Sequence, residues 1–125
     1  MRPKSDTLTG QELEIMKVIW RVGQATVRDV YDDMKARRTI AYTSVQTMMN
    51  ILEAKGHLRK QPGDRAQVYT PVRPQQQVVK SMVREFVDRV FDGSARPLLV
   101  HLLKEKGLTE RERRELQKLL DKEDA

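Results

Sequence analysis

The 125-residue sequence contains no cysteine, which removes disulfides, thiolate metal sites, CxxC redox chemistry and cysteine nucleophiles together and points to a reducing compartment. No apolar run approaches the ~20 residues that a membrane span needs, and the opening Met1-Arg2-Pro3-Lys4-Ser5-Asp6 has no apolar core behind its charges. The expectation is a cytoplasmic protein. Two isolated histidines, His57 and His101, have no carboxylates at ligand spacing, so no metal site is expected. A nucleophile-base constellation and a phosphate-cradling glycine loop are missing as well. The sequence therefore reads as neither an enzyme nor a cofactor carrier.

What it does have is charge. Lys and Arg number 24 against 18 Asp and Glu, leaving +6, with a pI near 9.8, a balance that favours nucleic acid or an anionic membrane surface. Charged residues make up 34% of the chain and hydrophobic ones 38%, which suits helices with narrow apolar stripes better than a thick sandwich core. At this length the chain holds one domain or two small lobes.

Helix signals punctuate the first half. Thr9-Gly10-Gln11-Glu12 has the form of a capping box with Leu8 and Leu13 as its staple, and Leu13, Met16, Val18, Ile19 and Trp20 continue a stripe that predicts a helix from Gly10 to Val22. Trp20 is read as core. Thr26 opens a second helix, with Asp29 at its third position and Val27, Val30, Tyr31 and Met34 at helical spacing. A third runs from Tyr42 to Lys55 and is closed by Gly56. Leu58-Arg59-Lys60 and Gln67-Val68-Tyr69-Thr70, separated by Gln61-Pro62-Gly63-Asp64-Arg65, predict a hairpin. A hairpin is marginal alone, so it should pack on the helices, and a short strand near Thr39 to Ala41 is a candidate partner.

Pro71 and Pro74 bracket a polar connection, giving expected domains 1–72 and 73–125. Beyond it Val78, Val79, Met82, Val83, Phe86, Val87, Val90 and Phe91 keep helical register up to Asp92-Gly93-Ser94. A further helix is expected from Arg96 to Lys106, and a capping box at Thr109-Glu110-Arg111-Glu112 opens the last. A lobe of about 50 residues is small for independence without metal, disulfide or partner. Leu98, Leu99, Val100, Leu102 and Leu103 are apolar nearly all round their helix. The expectation is a homodimer through Val83, Phe86, Val90, Leu98, Leu99, Leu102, Leu103, Leu116, Leu119 and Leu120; the alternative is a lobe folded back on the first.

Three helices followed by a hairpin is the order of a winged helix-turn-helix, whose third helix enters the major groove of DNA. The expected fold class is mainly α with a small β-hairpin wing, followed by a helical dimerisation lobe. In the third helix Val45, Met48, Met49 and Leu52 form an apolar face, while Thr43, Gln46, Thr47 and Asn50 lie opposite as hydrogen-bonding groups suited to base edges. That face is either an ordinary solvated surface or a reader. An ordinary surface would carry Lys and Glu, yet Tyr42 to Ile51 holds no charge. Residues 37–65 contain six basic side chains, Arg37, Arg38, Lys55, Arg59, Lys60 and Arg65, against two acidic ones, Glu53 and Asp64, leaving +4. Neutral reader and basic border match the division between base and phosphate contacts. The candidate DNA-contacting set is Arg37, Arg38, Tyr42, Thr43, Ser44, Gln46, Thr47, Asn50, Arg65 and Tyr69. For Tyr42 and Tyr69 two roles stay open, a hydroxyl at a phosphate or a ring in the core.

Ala41 to Gly56, Ala-Tyr-Thr-Ser-Val-Gln-Thr-Met-Met-Asn-Ile-Leu-Glu-Ala-Lys-Gly, closely resembles the recognition-helix signature of the BlaI/MecI/CopY family of bacterial repressors. Leu13 to Trp20 resembles its first helix, Val68-Tyr69-Thr70-Pro71 its returning wing strand, and Phe91-Asp92-Gly93-Ser94 its inter-helix turn. The resemblance implies a dimeric repressor on a palindromic operator in double-stranded DNA, governing β-lactam-resistance-type or related genes and relieved when a membrane sensor-protease cuts the second lobe. Aligned on Asp92-Gly93-Ser94 and Leu108-Thr109, the family's cleaved Asn-Phe bond falls at His101-Leu102, where this sequence has neither residue. His101 is then a core residue, an interface residue or a displaced cleavage position. The cysteine cluster of the copper-responsive branch is missing. A winged helix used for protein contact, or a regulator with a small ligand between its lobes, are the alternative functions.

Overall fold

Reciprocal capping boxes start the first two helices. In the computed structural model, which describes residues 7–105 and 107–124, Glu12 N–H donates to Thr9 Oγ1 at 3.1 Å while Thr9 N–H donates to Glu12 Oε1 at 2.9 Å. Thr26 and Asp29 repeat the exchange at 3.1 and 3.0 Å. Each box satisfies two N–H groups that a helix start leaves without partners. Helices α1 (Gly10–Val22), α2 (Val27–Lys35) and α3 (Tyr42–Ala54) follow, then strands β1 (Leu58–Pro62) and β2 (Gln67–Pro71), then α4 (Gln75–Val90), α5 (Arg96–Lys104) and α6 (Glu110–Asp124). The opening hexapeptide and Lys106, on which sequence expectations fell, lie outside the described residues.

The chain forms two compact units that divide between Met82 and Val83. That point lies inside α4, later than the Pro-flanked connection suggests, because the first turns of α4 bring Val78 and Met82 onto the core of the first unit. The core itself is built from Ile15, Met16 and Ile19 of α1, Val30 and Met34 of α2, Val45, Met49 and Leu52 of α3, and Leu58 and Tyr69 of the hairpin. Each large side chain removed from water in this way contributes about 1.5–3 kcal/mol. Trp20 packs against this core, and its indole N–H donates to the Arg73 carbonyl at 3.0 Å, tying the chain beyond β2 back to α1.

Gly56, at φ 87°, turns α3 into β1, a left-handed conformation that a side chain would strain. β1 and β2 are antiparallel in the register Leu58↔Pro71, Lys60↔Tyr69 and Pro62↔Gln67. At the tip Gly63 N–H donates to the Ala66 carbonyl at 2.9 Å. The expected third strand at Thr39 to Ala41 does not form, because Ala41 is the extended cap of α3 and its carbonyl accepts from Val45. Ala25 takes that place. Its N–H and carbonyl both bond Tyr69, at 3.0 and 2.8 Å.

In the second unit α5 packs against α6, yet none of the residues of α5 is buried. Leu98, Leu99, Leu102, Leu103 and Leu116 are half-covered, and Val83, Phe86, Val90 and Leu119 are exposed. Leu120, expected on the same surface, is instead buried within the single chain. Phe86 and Phe91 meet edge to face at 5.8 Å. His101 is exposed beside Glu105, Nε2 to Oε1 3.1 Å, which excludes the core reading. Among the described residues no helix is long and apolar enough to cross a membrane.

Candidate nucleic-acid interface

The stripe of α3 buried on α1 and α2 sends the opposite side of the helix outward. Val45, Met49 and Leu52 are fully enclosed, and the helical repeat then exposes Thr43, Gln46, Thr47 and Asn50 along one line, with Ser44 beside them. No acidic residue occupies the first turn, and Ala41 supplies no side-chain cap. Ile51, 41% exposed, sets an apolar group next to Asn50. The face thus offers hydroxyl and amide groups for base edges and an aliphatic surface of the kind that meets a thymine methyl.

Thr43, Ser44, Thr47 and Met48 share a shallow surface depression with Gln11 of α1. Gln11 is a hydrogen-bonding group that the sequence reading missed. Its neighbours are more than thirty residues away in the chain, so only the packing of α1 on α3 brings it there.

The two candidate tyrosines separate. Tyr42 stays on the surface with its ring edge-on to Tyr31 of α2, centroids 5.5 Å apart. Tyr69 is 3% exposed, with its ring in the core and its hydroxyl donating to Asn50 Oδ1 at 2.9 Å. Burial raises the Tyr69 phenol above its ordinary value, with the charge of Glu53 and then Tyr42 adding to it. Of the two roles left open for Tyr69, the core one is realised.

The basic border also divides. Arg38 pairs with Glu14 at 2.8 Å, and Arg37 with Asp33 at 3.0 Å and Glu14 at 4.0 Å, while Arg21 also pairs with Asp33. Both expected phosphate anchors are therefore engaged by acids of their own fold, holding the end of α2 to α1. Such exposed pairs are worth ~0–1 kcal/mol each, so a phosphate can exchange for either carboxylate. On the wing, Arg59, Lys60 and Arg65 are exposed and have no ion-pair partner among the described residues. Lys55, at the end of α3, donates to Glu12 Oε1 and Oε2 at 3.1 and 2.9 Å. Burial alone would raise the Glu12 carboxyl, but the Thr9 backbone N–H, the Lys55 ammonium and the Thr9 hydroxyl together outweigh it and hold its pKa below the usual value.

A helix-turn-helix core, a basic hairpin wing and an uncharged outward face on α3 define a winged-helix protein. The family model described as penicillinase repressor matches residues 8–122. The penicillinase repressor of Bacillus licheniformis is 27% identical over 118 residues, spanning 94% of this chain and 92% of that protein. The transcriptional regulator BlaI of Mycobacterium tuberculosis is 33% identical over 101 residues, 79% of this chain and 73% of the relative. Among solved structures, the DNA-binding domain of the repressor BlaI superposes with a TM-score of 0.53 at 31% identity, covering 60% of this chain and 90% of that one. The chain belongs to the penicillinase repressor family of winged-helix transcriptional repressors.

Proposed function

We propose that this chain represses transcription as a cytoplasmic homodimer, with α3 of each copy in successive major grooves of a palindromic operator. The observation that carries the reading is the uncharged hydrogen-bonding face of α3 bordered by the cations of the wing. Bases are then read by Thr43, Ser44, Gln46, Thr47 and Asn50, with Arg65 and its wing neighbours at phosphates. Recognition helices of a two-fold dimer lie about 34–36 Å apart, or a multiple of that, which sets the half-site spacing.

The second unit supports the dimer. Val83, Phe86 and Val90 repeat at i, i+3 and i+7 on α4, and the half-covered leucines of α5 surround a helix that one chain alone leaves unenclosed. Relief by a membrane sensor-protease follows the family's route, and the aligned bond, His101-Leu102, lies within α5. A protease acts on extended backbone, so cutting there requires α5 to open first, and the cut would break up the leucine stripe.

The test is selection of genomic fragments by the purified chain, followed by gel shift on the enriched sequence and on random duplex. The expected result is an inverted repeat, bound by two copies, with an affinity whose logarithm falls by about 0.9 per phosphate contact for each unit of log salt. Enrichment of no common sequence, together with the solution mass of one chain, overturns the proposal.

A further inference from the structure

We infer that Tyr69, a buried residue with no surface for DNA, is a specificity-determining positioning residue that fixes which end of the Asn50 amide faces the groove. This inference rests on the reading of α3 as the recognition helix. Tyr69 is held on three sides: its backbone bonds Ala25 through both N–H and carbonyl, its strand pairs with β1 opposite Lys60, and its ring is enclosed in the core. The hydroxyl therefore has little freedom. It donates to Asn50 Oδ1 at 2.9 Å across the α3–wing junction.

An asparagine amide has a carbonyl at one end and an NH₂ at the other, and an unconstrained surface Asn turns either one outward. Here the phenol selects. With Oδ1 turned to the hydroxyl, Nδ2 is the free end; the flipped amide would turn NH₂ toward the phenol oxygen and take away the protein acceptor of the hydroxyl hydrogen, at a desolvation cost. Asn50 enters the groove as a donor. The acceptors available to it are purine N7, guanine O6 and thymine O4, whereas bidentate reading of adenine requires the carbonyl end as well. The wing strand thus sets base preference on α3 without touching DNA.

The full-length chain, its Tyr69→Phe, Asn50→Ala and doubly substituted forms, and Asn50→Asp are compared by binding to a randomised operator library. Phe keeps the ring that fills the core and removes only the hydroxyl. We expect Asn50→Ala to erase preference at one base pair per half-site, and Tyr69→Phe to weaken preference at that same base pair roughly three- to tenfold, the worth of one hydrogen bond. All other positions and binding to random duplex should be unchanged, and the double variant should match Asn50→Ala. Asn50→Asp keeps an oxygen for Tyr69 and turns the outward group into an acceptor, so its preference should move to a base presenting an amine. Uniform weakening by Tyr69→Phe, or no change beside a clear effect of Asn50→Ala, overturns the positioning role while leaving the repressor reading intact. A wild-type chain that enriches no sequence overturns both.

Discussion

Glu12 is a carboxylate buried at the start of α1, closing a capping box with Thr9 and receiving both hydrogen bonds of the Lys55 ammonium from the end of α3. Its folded pKa lies below the ordinary carboxylate value. The sign follows: the stability it contributes is complete above the unfolded value of about 4.3 and is lost as pH falls through the lower folded value. Glu12→Gln should cost about 1.5–3 kcal/mol at pH 7, the range for hydrogen bonds to a charged group. The deficit should shrink as the pH falls through the lowered folded value, where the wild type also comes to carry a neutral group. Denaturant unfolding at pH 7 and pH 3 checks this, and an equal deficit at both values would assign the loss to packing. The capping half of the arrangement was legible, since Thr9 and Glu12 stand three residues apart. The Lys55 half was not, because it joins residues 43 apart in the chain, as do the Tyr69–Asn50 bond and the approach of Gln11 to Thr47 at their own separations. Local spacing encodes caps and stripes; contacts between elements depend on how stripes pack.

Among the elements, the wing shows the same division. Pro62-Gly63 announced a turn, and the strand-like composition on either side of it announced two strands. The strand's outer partner was misread, since Thr39 to Ala41 look extended in isolation but cap α3, whereas Ala25, between Gln24 and the capping Thr26, gave no strand signal and supplies the bridge. The tip is tightly built: a Cβ at Gly63 would lie 2.6 Å from both the Ala66 carbonyl oxygen and Val68 Cγ2. The carbonyl is backbone and cannot turn aside, so the tip must open and carry Arg65 with it. Gly63→Ala should therefore destabilise the protein by about 1–3 kcal/mol, as overpacking does. On DNA it should weaken specific and random duplex by the same factor, because in the proposed binding mode the wing's cations meet phosphates and α3 is untouched. Thermal unfolding and paired gel shifts measure the two effects. Altered base preference with unchanged affinity for random duplex would place base reading on the wing.

At the level of the whole molecule, the +6 net charge divides as +4 before residue 73 and +2 after it, from 12 basic and 8 acidic groups against 12 and 10. The excess thus sits with the winged helix, while the nearly balanced remainder carries the exposed Val83, Phe86, Val90 and Leu119. The charge asymmetry and the apolar spacing were legible in the sequence; the point at which the chain divides into two units was not, because Pro71 and Pro74 mark where the strand ends and not where the first core ends. Val78 is fully buried, and Arg73 supplies the acceptor for Trp20. Two truncations follow. A fragment ending at Met82 retains both contacts and should fold, whereas one ending at Thr70 exposes the Val78 site and loses the indole bond, so it should unfold at lower denaturant. Freed of α5 and α6, the longer fragment should bind an operator about 10²–10⁴-fold more weakly than the full chain, since neither half-site raises the local concentration of the second reader. Its base preferences should be the same, since in the proposed binding mode they are set within α3 and by Tyr69. Equal affinity of fragment and full chain would mean that the first unit pairs on DNA by itself, and the half-covered leucines of the second would then need another explanation.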